Sequence, residues 1–253
     1  MVGAKALGSI LAASAVVALL AGCAPSATGA EPSVPAETTA AAAAPTPTPA
    51  PPTEPTEPVD PLTSVTKLVA TATSLDLVDA DGGLVERYAY LDDPESVLGA
   101  LSAVFDGDPV TEDRPGSNHY PPSRAHVWGD VEIEVRAYDE ARREAEGIGL
   151  SWPRFAVYFD APSYDGVELT TPSGIQVGDE FGALEAGLDP DDWTCSGPGV
   201  DTETVTEYSE HEGGMVEHEY GVVLRDAVGA AAPADGAVVI WVGAPYAIAD
   251  GCA

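Results

Sequence analysis

Residues 73–105 read TSLDLVDADGGLVERYAYLDDPESVLGALSAVF, and the spacing of their apolar side chains changes from that of a strand to that of a helix. Two short segments, Thr73 to Val78 and Leu84 to Leu91, flank a turn rich in Asp and Gly, which predicts a β-hairpin. Asp93 suits the N-cap of a helix and Pro94 suits its first turn. Apolar residues then recur at helical spacing, at Val97, Leu98, Leu101, Val104 and Phe105. The segment therefore predicts a helix that packs on an antiparallel sheet.

Short apolar or alternating stretches continue through the rest of the chain and have the length of strands. A second short helix is predicted after Gly178-Asp179, carrying Phe181, Leu184 and Leu188. The expected fold class is α+β, a mostly antiparallel sheet with two short helices packed on it. The predicted strands are Ala125 to Trp128, Val131 to Tyr138, Arg154 to Asp160, Val167 to Thr170, Thr202 to His211, Met215 to Leu224 and Ala237 to Gly243.

Two segments are similar to each other: LGALSAVFDGDP at 98–109 and FGALEAGLDPDD at 181–192. They indicate either two tandem helix-on-sheet halves or chance similarity in a chain rich in Ala and Gly. Gly174 to Asp179, before the second helix, resembles the transition from strand to helix in β-lactamase inhibitor protein-like folds. That resemblance implies a protein-binding surface made by sheets.

The composition excludes one class of partner. Ten Lys and Arg stand against 42 Asp and Glu, so the formal net charge is -32. Nucleic acid binding needs clustered cations that neutralise phosphates, and we therefore expect no nucleic acid partner. Cations or positively charged partners fit this charge better.

The first 23 residues, MVGAKALGSILAASAVVALLAGC, have the order of an export signal: a cation, an apolar stretch and small residues. Leu20-Ala21-Gly22-Cys23 resembles the lipobox of bacterial lipoproteins. The resemblance implies that the signal is cut before Cys23 and that this Cys carries lipid, which would anchor the protein outside the cytoplasm. The low Lys usage is also similar to that of uncharacterised lipoproteins of high-GC Gram-positive bacteria.

Residues 24–60 are rich in Pro, Thr and Ala and contain no aromatic residue. Such a segment cannot bury enough apolar surface to offset the entropy of ordering, so a disordered tether is predicted. In an extended polyproline conformation it would reach on the order of 100 Å. We expect three parts: a signal peptide at 1–22, the lipidated Cys with its tether at 23–61, and one extracytoplasmic domain at 62–253.

Two cysteines remain after Cys23, namely Cys195 and Cys252. Because an exported chain meets an oxidising environment, we expect them to form a disulfide. That bond would contribute about 4 kcal/mol in the chain-entropy model.

The segment Thr202 to Leu224 predicts an acidic hairpin that turns at Gly213-Gly214. A two-residue turn would place Glu210 opposite Glu217 and Ser209 opposite His218. Strand alternation would then bring four carboxylates to one face: Glu210, Glu212, Glu217 and Glu219. The face is either a solvated acidic surface or a weak calcium site, and no other cofactor is expected.

The stretch DRPGSNHYPPSRAHVW, residues 113–128, concentrates cationic and aromatic residues in an acidic chain. We interpret it as a proline-restricted loop that either pairs with nearby carboxylates or binds a ligand or partner. The candidate binding residues are Arg114, His119, Tyr120, Arg124 and His126.

Short catalytic motifs of hydrolases, metalloproteases and phosphate-binding loops are absent from the sequence. The expected function is therefore a membrane-anchored binding or protein-interaction module with an unknown protein or small-molecule partner at the cell envelope. A cell-envelope hydrolase that uses carboxylate or His chemistry is the alternative.

Overall fold

A computed structural model of the chain describes residues 60–117, 121–139, 141, 143, 149–185, 193–194, 197–209, 213–226 and 236–248. All of them fall within one compact unit, residues 55–253. The predicted signal peptide, Cys23 and nearly all of the tether lie outside the described residues. In the part that is described, no helix is both long and apolar enough to cross a bilayer.

The described chain is mostly β-structure. It begins with a 3-10 turn at Pro61–Ser64 and contains helices α1 (Pro94–Val104) and α2 (Phe181–Glu185). Its strands are β1 (Val65–Ala70), β2 (Ser74–Asp79), β3 (Leu84–Ala89), β4 (Val110–Arg114), β5 (Ser123–Trp128), β6 (Val131–Arg136), β7 (Phe155–Phe159), β8 (Ser163–Tyr164), β9 (Val167–Thr170), β10 (Trp193–Thr194), β11 (Gly197–Ser209), β12 (Gly214–Asp226) and β13 (Val239–Ile248).

The strands form two sheets rather than the single sheet expected from the sequence. One sheet has the order β3-β2-β1-β9-β8, and the other has the order β10-β11-β12-β13-β7-β6-β5-β4. Pairing is antiparallel throughout except between β1 and β9, which are parallel. The α+β expectation thus holds for its antiparallel strands, but α1 and α2 are short additions to a mostly β chain.

The larger sheet consists of two consecutive runs of strands, β4 to β7 and β10 to β13. Each run proceeds from an edge of the sheet towards its centre, where β7 pairs with β13. Helix α1 precedes the first run along the chain, and α2 precedes the second. The sheet therefore brings the ends of both runs together at its middle.

The predicted hairpin and helix of residues 73–105 are confirmed. Strands β2 and β3 pair across the Asp- and Gly-rich turn, where the carboxylate of Asp79 accepts hydrogen bonds from two turn N–H groups. At the start of α1 the side chain of Asp93 accepts from the backbone N–H of Glu95 at 3.1 Å. The buried residues of α1 are Val97, Leu98, Ala100 and Leu101.

One hydrophobic core joins both sheets and both helices. On its larger-sheet side the core contains alternate residues of the central strands, such as Ile133, Val157 and Phe159. The ring of Phe155 meets that of Tyr90 edge-on at 5.3 Å between centroids. Because alternate residues of a strand point to opposite faces, the remaining positions of these strands form an outer face, away from this core.

Candidate functional site

The outer face of the eight-stranded sheet carries a groove of about 350 Å³. Strands from both runs contribute to it, so the groove lies across the junction of β7 and β13. Its lining combines charged and aromatic side chains: Arg114, Glu132, Glu134, Tyr158, Asp160, Arg225, Trp241 and Tyr246. We call this feature the aromatic–ionic groove.

Two glutamates of β6 are held in place by short polar contacts at one side of the groove. Arg114 donates to both oxygens of Glu132, at 2.5 and 2.9 Å. Glu134 accepts from the hydroxyls of Ser123 at 2.6 Å and Tyr158 at 2.9 Å. Bidentate and charge-assisted hydrogen bonds of this kind fix side-chain geometry, so this wall of the groove is preorganised.

The other wall is aromatic. Tyr158 stacks on Trp241 with 5.1 Å between ring centroids, and Tyr246 meets Trp241 edge-on at 5.9 Å. The guanidinium carbon of Arg225 lies 4.8 Å from the centre of the Trp241 ring, within the range of a cation–π contact. Burial is the main cause that raises the pKa of the Tyr158 hydroxyl, so Tyr158 stays neutral and donates to Glu134.

Gly243 makes room for this aromatic stack. A Cβ at Gly243 would lie 2.4 Å from the Trp241 ring and 2.8 Å from the Tyr158 ring. Any side chain there would force the rings to move. The glycine thus allows the indole to lie flat across its own strand.

Asp160 lies at the carboxyl end of β7, next to the aromatic wall. Since Phe159 pairs with Val242, Asp160 comes opposite Trp241, and its backbone N–H donates to the carbonyl of Asp130 at 3.0 Å. Loss of water around the carboxylate, and then the charge of Asp130, raise the pKa of Asp160, whereas Arg114 lowers it. Within the described residues, the Asp160 carboxylate forms no hydrogen bond or ion pair. Among the described carboxylates that line the groove, Asp160 is thus the one without a hydrogen-bonded partner.

The structure separates the cationic residues predicted to form one binding loop. Arg114, Arg124 and His126 lie on strands. Arg114 pairs with Ser123 and shares the outer face with it, whereas Arg124 and His126 alternate to the opposite face. Arg124 donates to the carboxylate of Asp113 at 2.7 Å on the opposite face. The loop interpretation is therefore wrong for these three residues, because residues on each side of the prolines pair as β4 and β5. His119 and Tyr120 lie outside the described residues.

His126 is half-buried on the same side as Arg124. Burial and then the charge of Arg124 lower the pKa of the His126 imidazole. Because the neutral imidazole is favoured, His126 does not supply the positive charge that the sequence interpretation gave it.

The acidic hairpin forms, but in a different register from the one expected. Its last pair is Ser209 with Gly214, so the connection is not a two-residue turn at Gly213-Gly214. Glu217 therefore lies opposite Thr206, and Glu219 opposite Thr204. The four-residue shift removes the predicted opposition of Glu217 with Glu210. Glu210 and Glu212 lie outside the described residues.

The described residues contain no group of three or more His, Cys, Asp or Glu side chains arranged to hold a metal ion. The weak calcium site remains a prediction. Cys195 and Cys252 also lie outside the described residues, and their disulfide remains a prediction too.

A buried carboxylate on β11, that of Glu207, was not predicted from the sequence. Glu207 is 9% exposed and accepts from the backbone N–H of Leu150 at 2.8 Å, from the hydroxyl of Ser151 at 3.0 Å and from the hydroxyl of Tyr220. The hydroxyls of Ser151 and Tyr220 also contact each other at 2.8 Å. The Glu207 cluster thus ties residues 149–151 to the long hairpin formed by β11 and β12. In the sequence, Glu207 lies in a strand in which most residues are polar, as an exposed glutamate would, so no local pattern indicates that it is buried.

The Glu207 cluster is not arranged as a Ser–His–carboxylate set. Ser151 bonds to Glu207 and Tyr220, whereas the Nε2 of His218 lies 3.9 Å from the Glu207 carboxylate. The base within hydrogen-bond reach of the Ser151 hydroxyl is therefore the Glu207 carboxylate and not a histidine. Three donors already occupy the Glu207 carboxylate, which suits a structural role.

Within the described residues, the groove presents aromatic rings beside fixed polar groups and no Ser–His–carboxylate set. The carboxylates of Glu132 and Glu134 are engaged by Arg, Ser and Tyr groups. Aromatic rings beside fixed polar groups are typical of recognition sites. Comparisons with protein-family models, with curated proteins and with solved structures found no match for this chain.

Proposed function

We propose that the protein is a membrane-anchored extracytoplasmic lipoprotein that works as a binding module, with the aromatic–ionic groove as the centre of its binding surface. The observation that supports this proposal is the groove itself. In it, Trp241, Tyr246 and Tyr158 lie beside fixed charged side chains on a sheet face that points away from the core. Tyr, Trp and Arg are the residues that contribute most to interface affinity.

The rest of the outer face supports a surface larger than a small-molecule pocket. Tyr208 and Met215 pair across β11 and β12, and they are 52% and 65% exposed. By strand alternation Met215 lies on the same face of β12 as Gly221, which pairs with Tyr246 of the groove, so Tyr208 and Met215 lie on the outer face. An exposed aromatic–apolar pair at the end of a long hairpin suits contact with a partner protein.

Two sequence features support the proposed location outside the cytoplasm. The lipobox-like Leu20 to Cys23 directly follows an apolar stretch, and the Pro- and Thr-rich segment up to residue 60 would hold the domain away from the membrane. We also propose that the domain is an α+β fold of two tandem halves. The order of a short helix followed by four strands of the larger sheet, which occurs twice, supports this interpretation.

The experiment that tests the binding surface uses a photo-crosslinking amino acid in intact cells. Benzoylphenylalanine in place of Tyr246 keeps an aromatic ring in the groove, and the same residue in place of Leu84, which is 54% exposed on the smaller sheet, is the matched control. We expect one discrete adduct from position 246 and none from position 84. The Gly243→Val change, which displaces the Trp241 ring, should abolish that adduct.

Equal adducts from both positions, or an adduct unaffected by Gly243→Val, would contradict the proposed surface. The anchor is tested separately with Cys23→Ser. This variant should leave the membrane fraction, and mass spectrometry of the native protein should find a lipidated Cys23 at the N-terminus. An uncut N-terminus would contradict the proposed lipid anchor and the location outside the cytoplasm.

The hydrolase alternative has less support. No Ser–His–carboxylate set lines the groove within the described residues, and the groove glutamates are held by hydrogen bonds. A general acid or base needs a carboxylate that can exchange a proton with substrate, and among the described groove carboxylates only Asp160 has no hydrogen-bonded partner, whereas a two-carboxylate hydrolase needs a pair.

A further inference from the structure

The charge around the aromatic–ionic groove is uneven, and this inference deepens the proposed function, on which it rests. Arg114 is held by Glu132 at 2.5 Å and reaches Asp160 only through its charge. The backbone N–H of Asp160 donates to the carbonyl of Asp130, and its carboxylate has no hydrogen bond or ion pair among the described residues. The pairing of β12, β13 and β7 aligns Arg225, Trp241 and Asp160 across three neighbouring strands.

The aromatic ring between them is suited to a cation with an apolar stem. Arg225 already shows that a guanidinium lies over the Trp241 ring, at 4.8 Å from its centre. On the neighbouring strand, the residue opposite Trp241 is Asp160, which carries a carboxylate. Long basic side chains pack their methylene stems on apolar surface and keep the charged head near an acid.

We propose that the groove receives an arginine or lysine side chain of a basic partner protein, with the charged head at Asp160 and the stem against Trp241 and Tyr246. The volume of about 350 Å³ suits one or two side chains rather than a large cofactor. The chain carries 42 acidic against 10 basic residues, so long-range attraction guides a basic partner towards it.

Other occupants fit less well. An anionic ligand would meet both the net charge of -32 and the Asp160 carboxylate, which has no hydrogen-bonded partner among the described residues. A second copy of this chain is opposed by repulsion between two strongly acidic molecules.

The test is an NMR titration of the purified full-length chain, followed through the indole N–H resonance of Trp241. The Trp241→Phe spectrum assigns that resonance. The probe is N-acetylarginine methylamide, and the matched probes are the glutamine and glutamate analogues and N-acetylglucosamine. We expect a saturable shift with the arginine compound alone, and its affinity should fall as salt is raised.

Asp160→Asn should weaken binding of the arginine probe about fivefold, the upper range for a solvent-accessible ion pair. Asp81→Asn, an exposed acid in the turn between β2 and β3, is the matched control and should leave the affinity unchanged. A saturable shift with the glutamate analogue or the sugar would overturn the inference. So would the absence of any shift with arginine, or equal affinity in the Asp160→Asn protein.

The two proposals fail in distinguishable ways. If the crosslink from position 246 depends on Gly243 but the arginine probe does not bind, the binding surface stands and the basic partner is wrong. If the probe binds at Trp241 but no adduct forms at position 246, the groove accepts cations and the proposed function is wrong.

Discussion

Replacing Glu207 with alanine should destabilise the fold by about 2–4 kcal/mol, because buried hydrogen-bond donors would lose their acceptor. Three donors converge on this carboxylate, and two of them belong to residues that are almost fully buried: Leu150 is 6% and Tyr220 is 1% exposed. Each buried donor left without a partner costs about 1–3 kcal/mol. The Ser151 hydroxyl still contacts Tyr220 at 2.8 Å, which lowers the loss at that end.

Urea unfolding followed by circular dichroism would measure the change in the free energy of unfolding. In a thermal melt the same loss corresponds to a decrease in Tm of roughly 5–15 °C for a domain of this size. Glu207→Gln keeps one acceptor oxygen and should fall between wild type and alanine. Glu217→Ala, at an exposed position on the same hairpin, is the matched control and should lie within about 0.5 kcal/mol of wild type.

A Glu207→Ala protein as stable as the Glu217→Ala control would refute the reasoning. A double-mutant cycle with Tyr220→Phe separates the hydroxyl contact from the rest of the cluster. If the two residues act through their hydrogen bond, the cycle should give a coupling of at least about 0.5 kcal/mol. Burial and then the Glu207 carboxylate raise the pKa of Tyr220, in agreement with a neutral hydroxyl that donates to Glu207.

Three further changes test other parts of the fold. Gly129→Ala should lower Tm more than Gly166→Ala. Both glycines have positive φ, but only a Cβ at Gly129 would clash, at 2.0 Å from the Tyr164 ring. Gly166→Ala should lower the free energy of unfolding by only about 1 kcal/mol. Burial lowers the pKa of His126 below 6.5, so protonation of the imidazole favours the unfolded chain. The wild type should therefore lose stability relative to His126→Gln as the pH falls from 7 to 5. Parallel curves of stability against pH would contradict this. Asp76→Ala should cost about 1–3 kcal/mol in urea unfolding, because that carboxylate is buried and bound by hydrogen bonds, and a loss under 0.5 kcal/mol would count against this role.

Local chemistry accounts for the elements that were predicted correctly. The Asp93 cap and the apolar spacing of α1 act within a few residues, and both agree with the structure. Strand β9 was predicted with its observed ends, and β5, β6, β7 and β12 were predicted within two residues of theirs, whereas β11 begins five residues earlier than predicted and β13 extends five residues further. Alternation and capping are short-range properties, so the sequence reveals them directly.

The missed strands either lack a local apolar pattern or depend on a distant partner. Strand β4 lies at the edge of the larger sheet and is exposed at most positions, so it shows no alternation of apolar and polar residues. Strand β1 lies between β2 and β9, and its parallel partner β9 is far along the chain. Pairing across such a distance is decided by the tertiary fold.

The sequence by itself determined the acidic character, the α1 segment and the series of short antiparallel strands. Only the tertiary structure decided which strands share a sheet, which register the β11–β12 hairpin takes and which side chains meet in the groove. Arg114, Trp241 and Asp160 come from separate strands, and no local pattern relates them. Their meeting follows from the burial of the inner sheet face, because the side chains that alternate with the buried ones must point to the opposite face.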